Sequence, residues 1–363
     1  MTETSSRPGA TRRGRAPTIS DVARAAGVSS MTVSRVINGD ARVRPTTRAK
    51  VDEAITRLNY TPNPAARSLA GAEPIRIGLL YSNPSAAYLS EFLVGTLDQA
   101  SRSDIQLVIE KCEPGGGEVE AALHMVAGGV HGLILPPPLC DSLEMVAALA
   151  ERDVPAVVVA TGRPPERASA VSIDDHAASL AMTRHLIALG HQRIGFIIGN
   201  PNQTASARRL EGYREAMAEA GLEVPNTLVA QGLFTYRSGL DAAEQLLTLE
   251  DRPTAIFASN DDMAAASVAV AHRHGIDVPG DLTVCGFDDT AIATTIWPEL
   301  TTIHQPIAAM SRAALDRLAR EIRAQRSGQR LPPEHQLLDF QLIRRQSDAA
   351  PRRRPPAIVT RLS

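Results

Sequence analysis

The 363 residues hold only three cysteines, Cys112, Cys140 and Cys285, and no two share the close spacing of a zinc site or a disulfide framework. Free buried thiols in a reducing compartment are expected instead. Aromatic residues make up 3% of the chain, and Trp297 is the single tryptophan. Lysine is nearly absent, 2 against 36 arginines, which fits a GC-rich gene and says nothing of function. No stretch approaches the ~18 consecutive apolar residues of a membrane span. Arg7, Arg12, Arg13 and Arg15 lie near the start, but no apolar segment follows them. A secretory signal is therefore not expected, and the cytoplasm is the expected location. Catalytic signatures are missing too: there is no Gly-x-Ser-x-Gly elbow and no phosphate loop. His272 and His274 are two apart and do not share a helical face. Gly115-Gly116-Gly117 lacks the strand–helix setting of a dinucleotide site, and Asp288 and Asp289 are sequence neighbours that need not converge. No catalytic residue, metal or cofactor is expected.

What is present is an ordinary globular composition, 44% hydrophobic and 21% charged, over a length that implies more than one domain. The charge is uneven. Residues 1–73 carry 12 basic and 6 acidic side chains, a net of +6, so the other 290 residues carry −8 of the total of −2. A basic head on an acidic body is the layout of a nucleic-acid reader joined to a ligand-binding part. Residues 1–17 read as a polar disordered tail, or alternatively as a basic arm brushing DNA. Residues 347–363, with Arg352-Arg353-Arg354-Pro355-Pro356, read as a second tail without compact structure.

Residues 18–59 predict three short helices. Thr18 and Asp21 are spaced as a capping box before a helix from Ile19 to Ala26, and Gly27 ends it. Ser29 is placed to cap a second helix, Ser30 to Ile37, that stops at Asn38-Gly39-Asp40. A third spans Pro45 to Leu58, with Val51, Ala54, Ile55 and Leu58 on one face. Val22, Ala23, Ala26, Val28, Val33 and Val36 are small or branched, so the first two helices can cross closely as a helix-turn-helix. Ser30, Met31, Thr32, Ser34 and Arg35 then face outward, a set that can read base edges and phosphates. A plain helical hairpin with a solvated face fits the same residues.

From Ile75 to about Arg345, apolar strand-like runs alternate with helix-like segments. That alternation predicts parallel sheets flanked by helices, in too many units for one sheet. Two lobes with a cleft at the carboxyl ends of their strands follow.

Segment 18–70 resembles the DNA-binding head and hinge of the lac repressor (LacI/GalR) family, through Val43, the Thr47–Tyr60 helix and Asn63-Pro64-Ala65-Ala66-Arg67-Ser68-Leu69-Ala70. The resemblance implies a sequence-specific transcription repressor. Ser30, Met31 and Arg35 fall at base-reading positions, and Thr32, Ser34, Asn38 and Arg42 mainly at backbone-contacting ones. A hinge helix at 60–73, with Asn63 as cap and Asn63, Ala66, Leu69 and Ala70 toward the minor groove, would order on DNA as Leu69 wedges a base step. Alternatively Leu69 packs only on its dimer mate.

Weaker likeness over 75–345 implies the fold of periplasmic sugar-binding proteins. The fold class is thus an all-α helix-turn-helix head plus an α/β two-lobed domain over 74–346. The first lobe is expected at 75–173 plus 306–330, and the second at 174–303 plus 335–345. Motif by motif, the resemblance assigns Ser82, Asn83, Arg209, Phe234, Asn260 and Asp288 to a small-molecule effector, a sugar. Asp288 and Asn260 also suit turns or caps, Arg209 a helix surface and Phe234 plain core. Where many relatives have an acidic residue after the fourth strand, this chain reads Ala160-Thr161-Gly162. The implied partners are pseudo-palindromic operator DNA, the effector and a second copy of the chain; no membrane is implied. A nucleoside sensor on the same scaffold, a transport-type sugar-binding protein and a sugar-processing enzyme are the alternatives.

Overall fold

The computed structural model describes residues 17–37, 43–58, 60, 74–82, 85–112 and 116–352. The chain divides into two units, one up to Pro74 and one from Ile75 onward.

The first unit holds α1 (Ile19–Ala26), α2 (Ser30–Ile37) and α3 (Pro45–Leu58), as the sequence predicts. The capping box is formed: Thr18 Oγ1 accepts from the Asp21 amide, and the Asp21 carboxylate accepts from the Thr18 amide at 2.9 Å. Gly27 ends α1 at φ 66°, a left-handed geometry that a side chain resists. Val22, Ala23, Val33, Val36, Val51, Ala54 and Tyr60 form the core, with Ala26, Val28, Ile55 and Leu58 packed around it.

The second unit carries two six-stranded sheets. The first contains β1 (Ile75–Tyr81), β2 (Ile105–Lys111), β3 (Gly132–Leu135), β4 (Ala156–Val159), β5 (Ser169–Ser172) and β11 (His335–Leu337), in the order 11-5-4-3-1-2 and all parallel. The second contains β6 (Ile194–Ile198), β7 (Val229–Gln231), β8 (Ala255–Ala258), β9 (Thr283–Asp288), β10 (Thr301–His304) and β12 (Gln341–Ile343), in the order 12-10-9-8-6-7. Only β12 runs antiparallel to its neighbour. Most strands read as near-continuous apolar runs because helices cover both faces. Those helices are α4 (Ala86–Ser101), α5 (Glu118–Ala127), α6 (Leu143–Ala150), α7 (Asp175–Ala188), α8 (Thr204–Glu219), α9 (Tyr236–Leu247), α10 (Asp261–Arg273), the short α11 (Ile292–Thr295) and α12 (Ile307–Arg326).

Two expectations are corrected. Residues 335–345 do not all join the second lobe: β11 pairs with β5 in the first sheet, and only β12 crosses to the second. Alternating patterns do not reveal so short an edge strand, whose side chains are all exposed. The C-terminal tail does not begin at 347, because Ser347 and Asp348 are buried. Ser347 Oγ donates to the Val284 carbonyl and accepts from the Thr301 amide at 2.9 Å, while Asp348 meets His185 at 2.8 Å. Polar residues read as a solvated tail, yet here each is satisfied by the end of the second sheet. Asn260 caps α10, and Asp261 and Asp262 occupy its first turn.

All three cysteines are buried and free. Among the described residues no helix is long and apolar enough to cross a membrane, and no group of His, Cys, Asp or Glu is arranged to hold a metal. Trp297 is 74% exposed and belongs to no core.

Candidate functional site

In the head, the outward face of α2 carries the residues singled out from sequence. Ser30, Met31 and Arg35 are exposed, and Thr32 and Ser34 are half-buried. Met31 is 65% exposed, so a flexible apolar side chain stands in solvent on this face. Ser29 caps the helix by accepting from the Thr32 amide at 3.2 Å. Arg48 on α3 donates to the Val36 carbonyl at 3.3 Å, which ties the end of α2 to the third helix. The face is thus polar, accessible and held on a rigid helix. Asn38, Arg42, Asn63, Ala66, Leu69 and Ala70 lie outside the described residues.

In the second unit a narrow pocket opens where the strands of both sheets end. It is lined by residues that end or follow β1 (Ser85, Tyr88), β3 (Pro137), β4 (Ala160), β6 (Gln203, Ala205, Arg209), β7 (Phe234), β8 (Asn260), β9 (Asp288) and β10 (Gln305). In both sheets the strand order reverses beside a central strand, β1 or β6, and the crevice at such a reversal is where open α/β sheets take ligands. Backbone strain gathers here as well. Of the five non-glycine residues with positive φ among those described, Ala160 (58°), Phe234 (60°), Asp288 (109°) and Asp289 (59°) sit in or beside the pocket. Such outliers persist where the surroundings over-determine them.

Arg209, on α8, is the hub and is 4% exposed. Its Nε donates to Asp175 Oδ1 at 2.8 Å, its Nη1 donates to the Ser259 carbonyl, and Asp288 lies 3.9 Å away. Its guanidinium lies 3.6 Å from the centre of the Phe287 ring and 5.7 Å from that of Phe234. Burial pushes the carboxyl groups of Asp175 and Asp288 upward, and Arg209 partly offsets this. Asp288 accepts from Gln305 Nε2 at 2.6 Å. Asn260 both caps and lines. Its Oδ1 accepts from the Met263 amide at 3.0 Å, and its Nδ2 donates to the Phe234 carbonyl at 3.1 Å. The Phe234 ring occupies the space over Gly199, where a Cβ would come within 1.9 Å of it.

Below the pocket, Asp261 braces three elements. It accepts from the Thr290 amide at 2.8 Å and from Thr302 Oγ1 at 2.6 Å, and burial raises its carboxyl to about 7. Two clasps join the lobes at the pocket's edges. Ser85 Oγ donates to Asp262 at 2.6 Å. Asp141 accepts from Thr161 Oγ1 at 2.7 Å, from Thr204 Oγ1 at 2.7 Å and from the Thr204 amide at 2.8 Å. The side chains leave about 30 Å³ between them.

The structure therefore brings Arg209, Phe234, Asn260 and Asp288 together. It does not bring in Ser82, which is buried but absent from the pocket wall, and Asn83 lies outside the described residues. Sequence reasoning missed Tyr88, Gln203, Gln305 and Asp175. Gln305 follows a strand at its carboxyl end, the signal that found Asn260 and Asp288. Asp175 follows the Asp174 cap of α7, and Tyr88 is hidden in the apolar pattern of α4.

Comparison with known proteins matches residues 18–63 to the bacterial regulatory proteins of the lacI family, and residues 183–347 to a periplasmic binding protein-like domain. Catabolite control protein A of Priestia megaterium is 35% identical over 80% of this chain and 88% of its own length. The chain belongs to the lacI family. Among solved structures, a complex of the transcriptional regulator CelR with cellobiose superposes with a TM-score of 0.69 at 34% identity, covering 91% of this chain and 99% of the other. The lac repressor dimer bound to operator and the anti-inducer ONPF gives 0.70 at 30% identity, covering 93% and 100%. This lacI-family chain is accordingly a DNA-binding transcription regulator with a helix-turn-helix head and a two-lobed, periplasmic-binding-like body.

Proposed function

We propose that the chain is a homodimeric repressor, acting in the cytoplasm, whose hold on a pseudo-palindromic operator is set by a sugar bound in the pocket. The observation that carries this is the convergence of Arg209, Asp288, Tyr88 and Gln305 on one crevice fed by both sheets. Adjacent sugar hydroxyls both donate and accept, and suit such a mixed set. Phe234 offers an apolar face to the ring. Ser30, Met31 and Arg35 read bases in the major groove, with Thr32, Ser34, Asn38 and Arg42 on the backbone. Asn63, Ala66, Leu69 and Ala70 belong to a hinge that enters the minor groove. The side chains leave only about 30 Å³ between them, so effector binding must part and re-seat the lobes, which changes how two heads span two half-sites. No turnover of the effector is part of this reading. The likeness to a regulator solved with cellobiose supports the sugar class, and the likeness to a dimer solved on its operator supports the homodimer.

The test is thermal unfolding against a panel of sugars, repeated with Asp288→Ala. A ligand at ~100 times its dissociation constant adds about 2.7 kcal/mol, a visible shift. The same sugar must alter operator affinity, and the variant must lose both responses. A second reading, a nucleoside effector, draws on the presence of both Tyr88 and Phe234 in the pocket wall. A shift with nucleosides and none with sugars would replace the first reading by the second.

A further inference from the structure

We propose that the pocket selects uncharged ligands rich in hydroxyl donors and rejects phosphorylated or carboxylated ones, with Tyr88 and Gln305 as the residues that set this choice. The inference rests on reading this crevice as the effector site.

Many polar atoms of the pocket wall are already engaged. Arg209 is the one cation lining the pocket among the described residues. Its Nε is held by Asp175 and its Nη1 by the Ser259 carbonyl, and one face lies on Phe287, while Nη2 keeps its two N–H groups to offer to a ligand oxygen. Two carboxylates, Asp175 and Asp288, already share its charge. Asn260 has given Oδ1 to the Met263 amide and Nδ2 to the Phe234 carbonyl. Two lining atoms remain without a partner although buried, the hydroxyl of Tyr88 and the Oε1 of Gln305. Tyr88 is 5% and Gln305 2% exposed, so water does not meet their needs freely. A carbonyl oxygen can only accept, and a phenol can accept as well as donate. Gln305 Oε1 thus asks a ligand for a donor, while Tyr88 and Arg209 can donate in return, a two-way set that a hydroxyl meets and an acceptor-only anion does not.

A sugar hydroxyl supplies both roles. A phosphate or carboxylate oxygen brings further acceptors and a net negative charge, and it would leave Gln305 Oε1 unpaired in a buried site. Arg209 already faces the carboxylates of Asp175 and Asp288, so a ligand anion would add a third acidic group around one buried cation. A site built this way discriminates strongly between analogues that do and do not complete its hydrogen bonds.

The experiment uses the full chain and matched pairs in isothermal titration: glucose with glucose 6-phosphate, cellobiose with its 6-phosphate, gluconate as a carboxylate, and adenosine with its 5′-monophosphate. The neutral member of one pair should bind at least about 100-fold more tightly than its charged partner. Tyr88→Phe removes only the unpartnered hydroxyl. It should weaken that ligand about tenfold without lowering the ligand-free melting temperature, since no existing bond is lost. Gln305→Met is the second variant and should likewise weaken the neutral ligand. Preference for adenosine over its monophosphate supports the inference while removing the sugar reading. A charged member binding as tightly as its neutral partner overturns it. So does a Tyr88→Phe protein that binds like the parent, and so does the failure of every neutral member at millimolar concentration.

Discussion

Phe234 shows how one side chain can be placed by the absence of another. Its backbone is held at φ 60° by the bond from Asn260, and its ring fills the volume above Gly199. Gly199→Ala would put a methyl 1.9 Å from that ring, so the ring must leave the pocket wall. We expect a loss of about 1–3 kcal/mol in effector affinity, read by titration, with the head still binding operator. Asp261 carries a second prediction at this scale. Its carboxyl sits at about 7 in the folded chain, raised by burial from an ordinary value near 3.8. Between those values the folded state holds more protons than the unfolded one. Its contribution to stability is thus greatest at low pH and is lost as pH rises to about 7. Asp175, Asp262 and Asp288 shift the same way, whereas His191 is lowered by burial and acts in the opposite sense. Comparing melting temperatures with Asp261→Asn cancels His191. The gap between the parent and this variant should narrow from pH 5 to pH 8 if the two start with the parent ahead.

At the scale of elements, capping explains both what was legible in the sequence and what was not. Thr18-x-x-Asp21 and Gly27 fix the ends of α1 with local signals, so the head could be drawn residue by residue. The longer strands of the second unit are mostly apolar because helices cover both faces, and they were visible for that reason. Short β5, β7, β10, β11 and β12, three or four residues each, were not. In the pocket, Arg209, Phe234, Asn260 and Asp288 were found through motifs that span a strand end and a loop. Tyr88 was not, since on a helix it looks like any core residue. The clasp at Asp141 could not be foreseen either, because it joins residues 63 apart. It does, however, place a carboxylate beside Thr161, near where Ala160-Thr161-Gly162 lacks one in sequence. Thr204→Val removes the hydroxyl that meets Asp141 and that accepts from the Gly162 amide at 2.8 Å. The expected outcome is a ligand-free body with a larger radius of gyration by small-angle scattering and faster effector association by stopped flow. An unchanged scattering profile would mean the clasp does not hold the lobes.

Taken whole, the second unit is closed by its own C-terminal segment. Ser347 and Asp348 bind β9, β10 and α7, and the Ala349 carbonyl accepts from His191 or Thr283. Truncation after Gln346 should lower the melting temperature of the effector-binding part by several degrees, about 1–3 kcal/mol for buried partners left unsatisfied. Truncation after Arg352 should leave it unchanged. A scanning calorimetry comparison of the two distinguishes a fastened segment from a dispensable tail.

The path of the chain between the lobes has a bearing on how such proteins can be recombined. The backbone passes from the first sheet to the second after β5, returns after β10 to form α12 and β11, and passes again to form β12. Neither lobe is one contiguous stretch of gene, so no single breakpoint within 75–352 exchanges a lobe intact. The unit ending at Pro74 is contiguous, and one breakpoint there transfers it whole. Shuffling among related regulators would therefore trade operator preference freely while inheriting the sensing body as an indivisible block.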